Sequence, residues 1–391
     1  MKCDLTIIGA GPGGCMAAKT AAEAGLDVVL LEKRQEIGEP VRCAEGVSIR
    51  SELKELIEVK PGWISRDIKG MRLYSPDGNS AFTEGNSGDR ECGCILERKT
   101  FDRGLAEEAA RCGASILVKT RATGLVRDNG QFSVSAICQG EPLKIESHLV
   151  IGADGVESKV ARWTGMDRGL QPEDIMVCSQ FLVLDESIDQ DFCQFFFGKK
   201  IAPGGYIWIF PKGDGLANVG IGLQGSLSGP GMPVRLLENF MEKRMPGATV
   251  LQMVAGGIPT SGPMKTIASD GIMLVGDSAH QSDPLTGGGI INAMRAGAMA
   301  GEVAIKAQSS KDFSKSCLRE YEDRWMSSAG KHLERCYHAK KLFLNLEDDD
   351  LNCLIGSLAG HNISCMRTLD LLRFLARKNP WMLWKLKGLV F

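Results

Sequence analysis

The chain has no basic surplus: 46 Lys and Arg stand against 48 Asp and Glu, a formal net charge of −2. Nucleic-acid binders carry a positive field for the phosphate backbone, so that class of partner is not expected. Long apolar runs are also missing, and nothing approaches the roughly 18–20 residues that a membrane-spanning helix requires. No signal-peptide pattern opens the sequence, because Asp4 falls among the first residues and a glycine-rich stretch follows at once. Aromatics are scarce at 6%, with 4 Tyr and 6 Trp. The 13 Cys are plentiful but lack metal spacing: there is no CxxC, and Cys92-Gly93-Cys94 is too tight for a zinc ribbon. Reduced thiols in a cytosolic or anaerobic setting are the expectation, most of them acting as small buried hydrophobes. A hydrophobic content of 43% over 391 residues describes an ordinary globular protein of about two or three domains.

What the chain has in quantity is glycine, 47 residues gathered in particular segments. "DLTIIGAGPGG", 4–14, is an apolar strand running into a glycine-rich turn. "CMAAKTAAEAG", 15–25, has helical periodicity and ends at Gly25, and "DVVLLEKR", 27–34, is a second buried strand with Glu32 at its end. This is a dinucleotide-binding unit. Gly9 allows the tight turn, Gly11 lets the backbone approach a pyrophosphate, Gly14 permits close helix packing, and Glu32 is set to accept from a ribose diol. Two later segments resume the same domain. "HLVIGADGVESKVARWTG", 148–165, is a strand, a Gly-Ala-Asp-Gly turn and a helix. "GIMLVGDSAHQSDPLTGGGIINAMRAGAMAGEVA", 271–304, is a strand, a loop with three consecutive glycines and a small-residue helix.

The segments between differ in character. "ILERKTFDRGLAEEAARCG", 95–113, is a helix returning to the first domain, while 170–265 is strand-rich with short turns, as in an antiparallel sheet. In "APGGYIWIFPKG", 202–213, strict alternation sets Tyr206, Trp208 and Phe210 on one strand face and Ile207 and Ile209 on the other, with Pro211 ending the strand. "FCQFFFGKK", 192–200, is a candidate hairpin partner for it, and Lys199 and Lys200 suit either a solvated turn or a phosphate head group. The acidic run from Glu347 to Asp350 reads as a solvated loop. "NPWMLWKLKGLVF", 379–391, suits either an interfacial anchor or a docked terminal helix. The expected fold is therefore α/β. A discontinuous Rossmann-like domain (1–61, 95–168, 266–310) holds an inserted antiparallel-sheet domain (62–94, 169–265), and a helical region (311–391) follows.

These motifs together resemble a known set. The GAGPGG turn with Glu32, GADG at 152–155 and GDSAHQSDPLTGGGI at 276–290 are similar to FAD-dependent oxidoreductases of the hydroxybenzoate-hydroxylase-like fold. "PVRCAEGVS", 40–48, and "YIWIFP", 206–211, narrow the resemblance to the geranylgeranyl reductase family, which saturates isoprenoid double bonds in archaeal lipids and chlorophyll side chains. The likeness covers about 1–310. It implies FAD, with the pyrophosphate on Gly13 and neighbouring backbone and the adenosine ribose on Glu32. Cys43, Ala44 and Gly46 would lie against the flavin. Arg98 would approach the phosphates or ribityl chain, Ala122 the adenine, Asp277 the ribityl chain, and Gly289-Ile290 the isoalloxazine. Two positions depart from the pattern: Ser278 stands where Ala is usual, and His280 is more familiar among hydroxylases.

Saturating an isolated alkene requires orientation, a proton and a dry cavity beside the flavin. Cys43 is the first candidate for an active-site role, as donor, pocket wall or gate to flavin movement, with plain packing as the alternative. Tyr206 is a second candidate donor, and Tyr206, Trp208 and Phe210 form a candidate wall for an apolar lipid tunnel. The resemblance implies a geranylgeranyl lipid as substrate and NADPH or a ferredoxin-like protein as electron donor. A cytoplasmic protein with peripheral membrane contact fits such a substrate. The alternatives are an FAD-dependent hydroxylase of aromatic or polyene substrates, and a prenyl-binding escort without catalysis.

Overall fold

A computed structural model describes residues 1–85, 93–167, 169–359 and 361–362. Two compact units divide the chain. The first comprises Met1–Val41, Arg98–Leu170 and Pro259–Arg335, and the second Arg42–Glu97, Gln171–Ile258 and Cys336–Phe391.

The first unit is built on a six-stranded sheet in the order Ala268–Ser269, Ile272–Leu274, Leu149–Gly152, Leu5–Ile8, Val28–Leu31, Ser115–Leu117. All its neighbours run parallel except the short Ala268–Ser269 edge strand. Its central strands, Leu5–Ile8 and Val28–Leu31, are buried at every position, as expected of strands covered on both faces. The covering helices can come close because their contact is made of small residues. A Cβ on Gly297, in the helix Ile290–Ser310, would lie 2.1 Å from the carbonyl oxygen of Gly13, in the helix Pro12–Glu23. The helix Arg98–Arg111 buries Phe101 and Leu105, and a three-stranded antiparallel sheet (Thr120–Asp128, Gln131–Cys138, Glu141–Ser147) completes the unit.

The second unit holds a seven-stranded sheet in the order Thr249–Pro259, Ile175–Leu184, Leu216–Gln224, Tyr206–Gly213, Phe192–Phe196, Gly70–Tyr74, Ser80–Glu84. Its ladders are mainly antiparallel, and the expected hairpin between Phe192–Phe196 and Tyr206–Gly213 is present. The Phe192–Phe196 and Gly70–Tyr74 strands run parallel, so this sheet is mixed. One face forms the core: Phe181, Val183, Ile207, Ile209, Val219 and Ile221 pack with Leu237 and Met241 of the helix Met232–Arg244. A small sheet of Gly46–Val47, Cys94–Leu96 and Ile64–Asp67 belongs to the same unit. Residues 42–61 therefore pack with the second unit, since their strand pairs with Cys94–Leu96, rather than with the FAD-type domain in which the sequence groups them.

Two local expectations are corrected. Pro211 does not end its strand: the ladder continues to Gly213, with a register shift after Pro211 that absorbs the missing donor. The acidic run is not a loop. Glu347 and Asp350 make a capping box that opens the helix Asp348–Ser357, with Asp350 buried and acidic side chains favourable against the helix N-terminus. Lys199 pairs with Glu347 at 2.6 Å, which commits that cation to a surface ion pair. No helix among the described residues is long and apolar enough to cross a membrane. The stretch 379–391 lies outside the described residues.

Candidate functional site

In the first unit the chemistry-bearing groups are largely backbone. Gly9 has φ +108°, and a Cβ there would fall 2.2 Å from the Ala153 oxygen; a Cβ on Gly14 would meet the Gly9 oxygen at 1.9 Å. A Cβ on Gly13 would sit 3.0 Å from the Ala293 oxygen. Gly11 is different, because its Cβ position has nothing within 4 Å. It is also the N-cap of Pro12–Glu23; Pro12 carries no N–H, so Gly13 and Gly14 supply the first N–H groups that helix geometry leaves without an intrahelical acceptor. Glu32 stands beside this turn, its carboxylate accepting from the Ala10 N–H at 3.1 Å and the Arg34 N–H at 2.9 Å. Room above Gly11, uncapped N–H groups and an acid at the neighbouring strand end fit a dinucleotide's pyrophosphate and ribose.

The distant segments add side chains. Arg98 makes a bidentate pair with Asp102, both bonds 2.7 Å, and both side chains are largely buried. Burial pushes the Asp277 carboxyl up to about 6, partly offset by the positive charge of Arg98. Gly289 caps Ile290–Ser310 without a side-chain bond, and a Cβ there would sit 3.5 Å from Asp277 Oδ1, so the two belong to one small cradle with Ile290. Ala122 is buried in Thr120–Asp128, opposite Ala136. Asp154 of the GADG turn accepts from Ser158 Oγ and from the Lys159 and Val160 N–H groups, which fixes the start of Lys159–Trp163. His280 has φ +52° and is held by Ser261 at 2.9 Å and Asp167 at 3.5 Å. Its ring is thus engaged within the scaffold of the first unit.

In the second unit the candidate face is the side of the seven-stranded sheet opposite the core. Tyr206, Trp208 and Phe210 stand along it with neighbouring ring centroids 6.0 and 6.4 Å apart, while Ile207 and Ile209 enter the core. Phe195 extends the row, 5.6 Å from Tyr206 and 5.4 Å from Phe210. The Cys43 loop is tied to this same face. Gly46 lies against Phe210, whose ring would be 2.9 Å from a Cβ there. Cys43 Sγ accepts the Glu45 N–H at 3.2 Å, and the Cys43 carbonyl accepts from Gln180 at 3.0 Å. The neighbouring Cys178 thiol is pushed up to about 12, first by burial and then by the charge of Cys43.

Glu45 is the pivot of the loop. It is buried with φ +71°, and its carboxylate accepts from Lys212 Nζ and from Asn218 Nδ2, the latter at 2.6 Å. Lys212 also pairs with Glu97 at 3.0 Å, and Asn218 reaches the Ala44 carbonyl at 3.3 Å. A buried carboxylate is tolerated only when paired and hydrogen-bonded, and here both conditions are met.

Comparison with known proteins places the chain in a family. Residues 2–194 match an FAD binding domain and residues 174–258 a geranylgeranyl reductase catalytic domain. The chain is 56% identical to a digeranylgeranylglycerophospholipid reductase of Methanothrix thermoacetophila, covering 100% of both chains. It belongs to the geranylgeranyl reductase family. A second such reductase, from Methanococcoides burtonii, is 49% identical over 99% of this chain and 95% of its own. Among solved structures, a geranylgeranyl bacteriochlorophyll reductase-like protein from Thermoplasma acidophilum is 34% identical, with a TM-score of 0.93 over 100% of this chain and 99% of that one.

As a member of this family, the chain is an FAD-dependent oxidoreductase, and its fold class is the expected α/β arrangement. The structure gathers Gly9, Gly11, Gly13, Gly14 and Glu32 around one turn, and Asp277, Gly289 and Ile290 around another, in the first unit. It gathers Cys43, Ala44 and Gly46 with Trp208 and Phe210 in the second. Glu45, Gln180, Lys212 and Asn218 escape a reading of the sequence. Glu45 sits inside the quoted motif, but a buried acid in left-handed backbone has no sequence signature. The other three lie on strands whose polar positions look solvent-facing until the loop is seen to cover them.

Proposed function

We propose that this protein saturates the isolated C=C bonds of geranylgeranyl chains in an archaeal-type membrane phospholipid. The observation that carries this reading is the 56% identity, over full length, to a digeranylgeranylglycerophospholipid reductase, joined to the match of 174–258 to the family's catalytic domain. Reduced FAD, when bound, supplies a hydride to one alkene carbon, and a proton completes the other.

The chain's own residues orient the partners. In this reading Gly9, Gly11, Gly13 and Gly14 with the helix N-terminus hold the pyrophosphate, Glu32 the ribose, and Ala122 borders the adenine. Arg98 serves the phosphates or ribityl chain, Asp277 the ribityl chain, and Gly289-Ile290 the flavin ring, which Cys43, Ala44 and Gly46 also border. Tyr206, Trp208, Phe210 and the adjoining Phe195 make an apolar wall suited to a chain with nothing to hydrogen-bond; its burial gives about 0.8 kcal/mol per methylene-sized group. Cys43 and Tyr206 are the candidates for handling the proton. NADPH or a ferredoxin-like protein would return the electrons, and peripheral contact with a membrane would bring the lipid.

The test is anaerobic incubation of the dithionite-reduced, FAD-loaded protein with a digeranylgeranyl glycerophospholipid, followed by mass measurement of the lipid. Successive gains of two hydrogens are expected, with FAD reoxidised once per bond. A lipid unchanged under these conditions, but hydroxylated with oxygen uptake in a parallel aerobic incubation supplied with NADPH, would transfer the chain to the hydroxylase reading. A lipid unchanged in both incubations, with flavin occupancy verified, would leave the escort reading.

A further inference from the structure

The Cys43 loop and the strand Tyr206–Gly213 are far apart in sequence, and besides the direct Glu45–Lys212 and Gly46–Phe210 contacts they are joined through two residues that lie in neither stretch. Trp208 and Gln180 share one register row through Gly220 of the strand between them. The Trp208 indole lies across Gly220, where a Cβ would fall 2.2 Å from Cζ2 and 2.4 Å from Cε2 of the ring. Having crossed the middle strand, the indole Nε1–H donates to Gln180 Oε1 at 3.2 Å. The other end of the same amide, Nε2, donates to the Cys43 carbonyl at 3.0 Å. Gln180 is 7% exposed and Trp208 6%. Flipping the amide would set NH₂ against the indole N–H and one carbonyl against the other, so its orientation is fixed by both partners.

We propose that Gln180 and Gly220 are positioning residues that tie Trp208 to the Cys43 loop. Gly220 supplies the empty slot that lets the indole cross, and Gln180 converts the position of the indole into the position of the Cys43 peptide. The two stretches that carry the family resemblance thereby act as one rigid piece. The inference rests on the reading that Cys43 borders the flavin and Trp208 the reacting lipid. It extends that reading to two residues outside either motif.

The test uses the full-length, FAD-loaded protein. Gln180→Met removes both bonds at nearly constant volume. The ¹⁵N–¹H resonance of the Trp208 indole, identified by its loss in Trp208→Phe, should move while the other indole resonances hold. Turnover should fall about tenfold with KM changed less than twofold. Gly220→Ala should move the same resonance by blocking the slot. Gln180→Glu separates the two bonds. As a carboxylate it still accepts from Trp208 but has no proton for the Cys43 carbonyl; protonated, it supplies both. Its turnover relative to wild type should therefore recover as pH falls through the carboxyl titration, a recovery that simple packing would not produce. An unmoved Trp208 resonance in Gln180→Met, or wild-type turnover despite a shift, would overturn the proposal, as would a Gln180→Glu pH profile parallel to wild type. Should the wild-type protein reduce no lipid, the functional reading fails on its own, while the resonances still decide whether the link exists.

Discussion

In the first unit the groups set out for a ligand are mostly peptide N–H and bare Cα positions: Gly9, Gly11, Gly14 and the uncapped starts of Pro12–Glu23 and Ile290–Ser310. In the second they are side chains, with Glu45, Gln180, Lys212 and Asn218 bracing a loop and an aromatic row standing beside it. In the proposed roles, the difference follows from what each must hold. Phosphate oxygens accept from any N–H, so a backbone cradle suffices. An apolar chain offers no acceptor, so its wall is apolar, here an aromatic row, and hydrogen bonds to the wall's own polar atoms, such as the Trp208 indole N–H, can fix its placement.

The largest effect should come from breaking the backbone cradle. Gly14→Ala would drive a Cβ into the Gly9 oxygen at 1.9 Å, a backbone contact with no flexible end to yield. A colourless and largely insoluble protein is expected. Gly11→Ala is the control: its Cβ meets nothing within 4 Å, and the N-cap φ of −76° suits any residue. This variant should fold with its apo stability within about 0.5 kcal/mol of wild type, yet bind FAD more weakly in a flavin titration. Unchanged flavin affinity in Gly11→Ala would separate the open space from pyrophosphate binding.

Next in size is the network of the second unit. Lys212→Met removes the cation paired with the buried Glu45 carboxylate and should cost about 3–5 kcal/mol in denaturant unfolding. Replacing both ends, as Glu45→Gln with Lys212→Met, should recover part of that loss, because no uncompensated charge remains. A double variant no better than Lys212→Met would mean that packing around the lysine stem, not charge, holds the loop.

The same division explains what could be read from the sequence. A backbone cradle announces itself, since glycines at Gly9, Gly11 and Gly14 between an apolar strand and a helix have few other uses. The aromatic row was legible too, because alternation in a strand fixes a face without knowledge of the partner. The brace was not. Gln180, Lys212 and Asn218 become significant only once three strands and a loop converge, and periodicity on one strand cannot report convergence. The acidic run at 347–350 misled for a related reason: charge density suggests solvent, whereas the capping box depends on Glu347 and Asp350 standing three residues apart at a helix start.

Asp277 is, like Glu32 and Arg98, a side chain rather than a peptide group in the first unit, and it gives the smallest of these effects. Its carboxyl is raised to about 6 in the folded protein by burial. An exposed aspartate in the unfolded chain titrates near 3.9, so the folded state holds the proton more tightly. The stabilisation from that proton is fully present below about pH 4 and is lost as pH rises through about 6. Above that, wild-type apoprotein carries a buried charge that an amide would not. Asp277→Asn should therefore flatten the apoprotein's stability curve between pH 4 and 6. At pH 7.5 it should exceed wild type by on the order of 2–3 kcal/mol in denaturant unfolding. In the proposed role, ribityl hydroxyls donating to the carboxylate would favour its charged form and pull its titration back down. Saturating FAD should then narrow or reverse the advantage of Asp277→Asn at pH 7.5. Parallel pH curves for the two apoproteins would sink the titration argument, and an advantage that FAD leaves untouched would detach Asp277 from the cofactor.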